Sequence, residues 1–347
     1  MEYKEEQKQQ TIKHLREHLK ELPQFLGAFF RAIADTTAPL TRHAYAHDLT
    51  IFFRYLSEEL TDFESKPIAE FTLDDLRKIT PEHIEAFMEY LDYYVRAEGN
   101  RDCFTNGEQG KSRKLSALRT MFSYFYKHRQ IDANPSDIVD FPTIHKKNII
   151  RLDVNEVAKL LDEVESGEHL TTRQRDYHAH TKERDLAVIS LLLGTGMRVS
   201  ECVGVNVTDL DFDMNAVKVT RKGGDETLLY FSEEVAAAVK VYADERGKID
   251  AKDDDALFLS LQKRRMHVRT IENLVKKYTR LVTTVKHITP HKLRSTFGTQ
   301  LYQETGDIYL VADALGHADI NTTRKHYAAM DEARRKSVAN HIKLRRT

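Results

Sequence analysis

Two arginines, two histidines, a lysine and a tyrosine stand in an order that suits one reaction. Arg198 follows Gly194-Thr195-Gly196-Met197, and Lys222 sits in Arg221-Lys222-Gly223-Gly224. His291 precedes Arg294 by three residues, His317 closes Leu315-Gly316-His317, and Tyr327 follows His326. A phosphodiester under attack carries negative charge spread over its non-bridging oxygens, which preorganised Arg and His donors stabilise. A phenol can act as the covalent nucleophile once its proton is removed. Its free pKa of about 10 means that it needs a base and a cationic surround first. The set therefore suits attack of a tyrosine on a phosphodiester, with no metal and no cofactor required.

The local patterns say which elements must present these groups. Arg184 to Leu193 reads as an apolar helix, and Arg198 stands just past its end. Ala216 to Thr220 and Thr227 to Phe231 are short β-type runs joined by Arg-Lys-Gly-Gly-Asp-Glu. That pattern reads as a hairpin, with glycines for the positive φ of a tight turn and Lys222 at its tip. Hairpin lysines are commonly just solvated, so the order of motifs carries this assignment. Thr289-Pro290 opens a further helix, and a spacing of three puts His291 and Arg294 on one face of it.

Taken together, Thr-Gly-Met-Arg-Val-Ser-Glu (195–201), Pro-His-Lys-Leu-Arg-Ser-Thr-Phe (290–297), Leu-Gly-His (315–317) and His326-Tyr327 resemble the motifs of the tyrosine recombinase family. The resemblance implies that Arg198 and Arg294 clamp the scissile phosphate and that Glu201 orients Arg198 from behind. It implies that Lys222 protonates the departing 5′ oxygen and that His291 donates to the phosphate or accepts the tyrosine proton. His317 would bond the phosphate and help pack the helix of Tyr327, the nucleophile. Many relatives have His directly after the second arginine; here Ser295 stands there, which leaves the catalytic positions intact.

The resemblance also implies a fold. It is a mainly α, two-domain, C-shaped DNA clamp, with an all-helical core-binding domain and a helical catalytic domain holding a small antiparallel sheet. At 347 residues the chain has room for both. Residues 1–35 read as an amphipathic helical extension, 36–145 as the core-binding domain and 146–347 as the catalytic domain. The domain boundary is placed at Lys146-Lys147-Asn148, after the breaks at Asn134-Pro135 and Phe141-Pro142. The tail from Asp331 to Thr347 reads as a basic helix, which in relatives docks on a neighbouring subunit of a cyclic tetramer.

A formal net charge of −1 argues against a nucleic-acid binder at face value. Distribution matters more than the sum. Lys263 to Arg294 is strongly basic, with Glu272 its lone acid, Lys111 to Arg151 is also basic, and Glu58 to Asp92 is acidic. One charge run alone is as easily a solvated helix face; a basic run in each half favours a clamp around double-stranded DNA. The expected DNA contacts are Lys111, Arg113, Lys114 and Arg119 in the first half. In the second they are Arg221, Lys263, Arg264, Arg265, Arg269 and Lys292.

Other patterns lead nowhere in particular. Gly107-Glu-Gln-Gly110-Lys111-Ser112 has its glycines too close for a phosphate-binding loop, and no strand is read ahead of it. His14/His18 and His43/His47 have metal spacing without a third ligand, and His178-Ala-His180 is equally weak. Cys103 and Cys202 make no disulfide framework. Tyr302 and Tyr309 read as packing residues. The Leu186 to Gly194 stretch is too short to span a bilayer, and Met-Glu-Tyr-Lys-Glu-Glu opens no signal sequence. The expected compartment is the cytoplasm, at the nucleoid.

Within the family, the long lead-in and Gln303 to His317 look most like the single-protein Xer type of streptococci and lactococci. That implies chromosome dimer resolution at a dif-type site by a homotetramer, with a septal DNA translocase such as FtsK as a candidate controlling partner. Rivals are an integrase of a phage or conjugative element, a type IB topoisomerase, and a non-cleaving DNA-binding protein. The last should have lost a catalytic residue, and all six are present. A metal-dependent nuclease would need clustered carboxylates among these motifs.

Overall fold

The computed structural model describes residues 3–95, 103–145, 150–221, 224–252, 255–317, 319–321 and 323–324. Lys222, Tyr327, the Lys146-Lys147-Asn148 stretch and the tail from Asp331 lie outside the described residues. The chain forms two compact units, Met1–Lys147 and Asn148–Thr347. Both are mainly helical, with small antiparallel sheets.

The first unit runs α1 (Tyr3–His18), α2 (Leu26–Ala32), α3 (Pro39–Glu59), α4 (Leu73–Arg77), α5 (Pro81–Tyr90), β1 (Tyr94–Val95), β2 (Cys103–Phe104) and α6 (Glu108–Lys127). Pro39 and Pro81 stand in first helical turns, where an absent N–H breaks no intrahelical bond. The three- and four-residue spacing of apolar positions gives α3, α5 and α6 one buried face each. Phe52, Phe53, Phe87, Phe122 and Phe125 are fully buried there, and Phe29 of α2 joins the same core. Phe52 and Phe87 meet edge to face at 5.1 Å, a geometry worth about 0.5–1.5 kcal/mol beyond area burial. Leu15, Leu22 and Leu26 of the N-terminal segment pack into the same core.

An all-helical first unit is not what forms. Strands β1 and β2 pair antiparallel, with Tyr94 opposite Phe104 and their rings stacked at 5.6 Å. Two-residue strands are too short to show an alternating pattern in sequence. The pair also places a strand ahead of Gly107, but that residue merely precedes α6 as its N-cap. His18 lies near both members of the second histidine pair, with ring centroids 5.6 Å from His43 and 6.2 Å from His47. Among the described residues, no group of three or more His, Cys, Asp or Glu side chains could hold a metal ion.

The second unit runs α7 (Val154–Ser166), α8 (Thr172–His178), α9 (Lys182–Thr195), α10 (Val199–Gly204), β3 (Leu210–Asp211), β4 (Ala216–Thr220), β5 (Glu226–Tyr230), α11 (Glu233–Arg246), α12 (Val268–Val282), α13 (Pro290–Thr305) and α14 (Ile308–Leu315). Helix α9 is apolar nearly all round because it is the hub: α7, α11, α12 and α13 all pack on it. Ala187 to Leu192 are buried there. In the polar segment before it, residues 171–181, His178 is buried and its Nε2 lies 2.7 Å from the Val164 carbonyl. No helix among the described residues is long and apolar enough to cross a membrane.

The hairpin forms as read, with β5 starting one residue earlier and Val217 opposite Leu229. A third strand, β3, adds to the other edge of β4. Val217 and Val219 turn inward while Lys218 between them is exposed, the alternation of a half-buried strand. Gly306 and Gly316 end α13 and α14 in left-handed conformation. Gly298, by contrast, is a buried position inside α13.

Candidate active site

The first site turn is built by a helix ending and another beginning. Gly196, at φ +63, ends α9, and its N–H donates to the Leu192 carbonyl. Its own carbonyl then faces away from the helix. Arg198 is the N-cap of α10. Glu201, three residues on and buried, holds it by two bonds: the Arg198 N–H donates to Oε2 at 2.7 Å and Nη1 to Oε1 at 2.8 Å. Arg198 stays partly open, with its side chain 36% exposed.

Arg294 approaches from α13. Thr289 caps that helix and Pro290 fills its first position, leaving His291 exposed in the first turn and Arg294 buried one turn later. Arg294 Nη1 donates to the freed Gly196 carbonyl at 2.6 Å, and Nη2 donates to the carbonyl of Leu315. The arginine thereby ties the α9 terminus to the end of α14.

That end is where the site converges. The last carbonyls of a helix have no partners within it and carry its negative dipole end. Here Arg221 donates to the carbonyls of Asp313 and Ala314, Arg294 to that of Leu315, and Arg198 Nη2 approaches that of Gly316 at 3.4 Å. The His317 N–H returns to the Ala312 carbonyl at 2.9 Å, closing a helix-ending turn that Gly316 permits at φ +58. His317 Nδ1 sits 2.7 Å from Oγ1 of Thr323, which is fully buried. Three guanidinium groups and a histidine are thus gathered from four distant sequence positions. Arg198, whose side chain stays partly open, keeps donors that can meet an anion beside this turn.

Arg198, Glu201, Arg294 and His317 are therefore brought together, with His291 one turn from Arg294. Lys222 and Tyr327 lie outside the described residues. Arg221, at the end of β4 just before Lys222, joins the cluster by its side chain. Several phenols and one thiol elsewhere are held protonated. Burial pushes the Tyr90 phenol up to about 12 and raises those of Tyr55, Tyr242 and Tyr278. Burial likewise pushes the Cys202 thiol up, which keeps it protonated. Tyr302 packs in the core as expected, but Tyr309 does not: it is 73% exposed, on the outer face of α14.

Several expected DNA contacts have structural partners instead. Lys114 is buried, donating to Asn106 Oδ1 at 2.8 Å beside the buried carboxylate of Asp48. Burial raises the Asp48 pKa against the pull of Lys114 and Arg113. Arg113 pairs with Asp48, Lys111 with Asp92 at 2.6 Å, and Arg119 donates to the carbonyls of Ser136 and Val139. Arg265 is buried and donates to the carbonyls of Val203 and Val205 and to Asn206 Oδ1. Lys114 and Arg265 thus lie buried on acceptors of their own chain. Lys263, Arg264 and Arg269 remain exposed and Lys292 half-buried.

The sequence reading missed Thr323 against His317 and Phe297 against Gly196. It also missed Thr296, whose hydroxyl accepts the Leu152 N–H at 3.1 Å and secures α13 to the segment before α7. Phe297 and Thr296 sit inside the quoted Pro-His-Lys-Leu-Arg-Ser-Thr-Phe segment, which was the available signal.

Comparison with known proteins gives consistent likenesses. A model of the phage integrase family matches residues 151–334. The chain is 30% identical over 328 residues to the tyrosine recombinase XerC of Caldanaerobacter subterraneus subsp. tengcongensis, covering 92% of this chain and 85% of that protein. It is 31% identical over 211 residues to the XerC of Psychromonas ingrahamii, covering 61% and 67%. Among solved structures, the XerH site-specific recombinase bound to palindromic difH substrate aligns with a TM-score of 0.62 at 21% identity, over 88% of this chain and 81% of that one. A lambda integrase (75-356) dimer on a COC′ core site aligns at 0.60 and 17% identity, over 86% and 95%. At these identities the structural likeness speaks for the fold.

Proposed function

This chain belongs to the phage integrase family of tyrosine site-specific recombinases, and from that premise we propose that it cuts and rejoins double-stranded DNA through Tyr327. The observation that carries the reading is the convergence of Arg198, Arg294 and His317 on the C-terminal turn of α14. Two arginines with fixed guanidinium planes offer paired donors to the non-bridging oxygens of one phosphate.

In this reading the Tyr327 phenolate oxygen attacks phosphorus, forming the P–O bond to tyrosine as the bond to the 5′ oxygen breaks. The phenol proton passes to a base, for which exposed His291 is placed one turn ahead of Arg294. The departing 5′ oxygen takes a proton from Lys222. The phosphotyrosine retains the bond energy, so a second 5′ hydroxyl can displace the tyrosine without ATP. Glu201 holds Arg198 in its binding orientation.

The finer role we propose is resolution of chromosome dimers at a dif-type site. It would be carried out by a homotetramer in the cytoplasm, of the single-protein XerS type, in response to a septal translocase such as FtsK. The XerC relatives and the XerH–difH neighbour support it. Covalent trapping on fragmented host DNA, with denaturing washes and sequencing of adducts, tests it against Tyr327→Phe. One enriched locus near the replication terminus is the expected result. Enrichment at the ends of mobile elements would mean an integrase, and no Tyr327-dependent adduct would mean a non-cleaving binder.

A further inference from the structure

We propose that Arg221 is a positioning residue that fixes the root of the Lys222 hairpin onto the C-terminal turn of α14. Its backbone and side chain act together. The Arg221 N–H donates to the Asp225 carbonyl at 2.7 Å, and the Arg221 carbonyl accepts the Gly224 N–H at 3.2 Å. Arg221 is therefore the residue at which the turn bearing Lys222 closes. Its guanidinium reaches across to α14, donating to the carbonyls of Asp313 at 3.3 Å and Ala314 at 3.2 Å. A planar guanidinium with several rigid donors can bridge two successive carbonyls where a lysine ammonium would not hold direction.

Gly316 shows how close this packing is. A Cβ added there would collide with the Arg221 guanidinium, at a residue already at φ +58. The glycine thus serves two needs, the left-handed turn and the space for Arg221. Arg294 and Arg198 address the next two carbonyls of the same turn. One helix end therefore sets the mutual position of the two phosphate-binding arginines and of the hairpin base. This arrangement accounts for Arg221 without a DNA phosphate, although its sequence neighbourhood suggested one.

The inference rests on Lys222 as the general acid, so the test separates the two. The full-length protein is given duplexes carrying the locus recovered by Tyr327-dependent trapping, with either oxygen or sulfur at the bridging 5′ position. Sulfur leaves without a proton. Arg221→Ala should slow adduct formation on the oxygen duplex about 10- to 100-fold, the range a misplaced catalytic group costs. It should recover near wild-type rate on the sulfur duplex, as Lys222→Ala should, with DNA affinity unchanged. Arg221→Gln, which keeps one donor, should fall between and guards against a misfolded alanine variant, both being checked by thermal melting.

Equal slowing on both duplexes would overturn the inference, since a merely structural loss at α14 cannot be rescued by the leaving group. So would weaker DNA binding with a shallower salt dependence, the mark of a phosphate contact. Failure of Lys222→Ala itself to be rescued would remove the general-acid reading on which Arg221 depends. Absence of any Tyr327-dependent adduct in the trapping that supplies the duplex sequence would instead remove the reading of Tyr327 as nucleophile.

Discussion

Gly196 and Glu201 decide where Arg294 and Arg198, the pair proposed to bind phosphate, point. Gly196 lies at φ +63 against the Phe297 ring, and its carbonyl accepts Arg294. Gly196→Ala should destabilise the protein by about 1–3 kcal/mol, through left-handed strain and collision with the ring. A denaturant midpoint checks this, and adduct formation should fall more than stability alone explains because Arg294 loses its acceptor. Glu201→Gln keeps the shape and removes the charge opposite Arg198. Hydrogen bonds to charged groups contribute about 1.5–3 kcal/mol, so adduct formation should slow roughly 10- to 100-fold, read with single-turnover kinetics. Unchanged kinetics in that variant would show that Arg198 is oriented by its backbone alone.

Among the elements, α1 is attached to α3 in a way that responds to acid. His18 Nε2 lies 2.9 Å from Thr50 Oγ1, with His43 and His47 close by. Burial lowers the His18 pKa from the usual 6.5; Glu21 opposes that shift and His43 reinforces it. A histidine lowered in the folded state takes up its proton more readily when undocked. The stabilisation is therefore complete above pH 6.5 and is lost as pH falls below that value. Amide exchange in α1 should accelerate relative to α3 between pH 7.5 and 5.5, and His18→Gln should remove the difference. The carboxyl end of α14 obeys the same electrostatics in reverse: its negative dipole end is met by three arginines, which no local sequence rule required.

On the scale of the whole molecule, cations divide into those that hold the fold and those available to a polyanion. DNA affinity should fall steeply with salt through counterion release, with a slope of about −0.9 per phosphate neutralised. Arg264→Glu and Arg269→Glu alter exposed positions and should each lower that slope by about one without changing the melting temperature. Lys114→Ala and Arg265→Ala should do the opposite, lowering the melting temperature by stranding Asp48 or the Val203 and Val205 carbonyls, with little change in slope. Parallel titrations of the four variants separate the two classes; a lost slope in Arg265→Ala would return it to the DNA-contacting set.

The reaction class, the helical character of both halves and the hairpin are all legible in the chain as written. Each depends on near neighbours: His291 three residues from Arg294, Glu201 three from Arg198, glycines where turns need positive φ. The short strands β1, β2 and β3 were illegible because two residues carry no period. The tertiary structure alone decided what each cation faces. Arg265 finds its acceptors 59 to 62 residues away, Arg221 some 92 to 93 away and Arg294 its first at 98. A guanidinium looks the same in sequence whether its partner is a phosphate or a buried carbonyl; only long-range packing brings the carbonyl within reach and settles which it is.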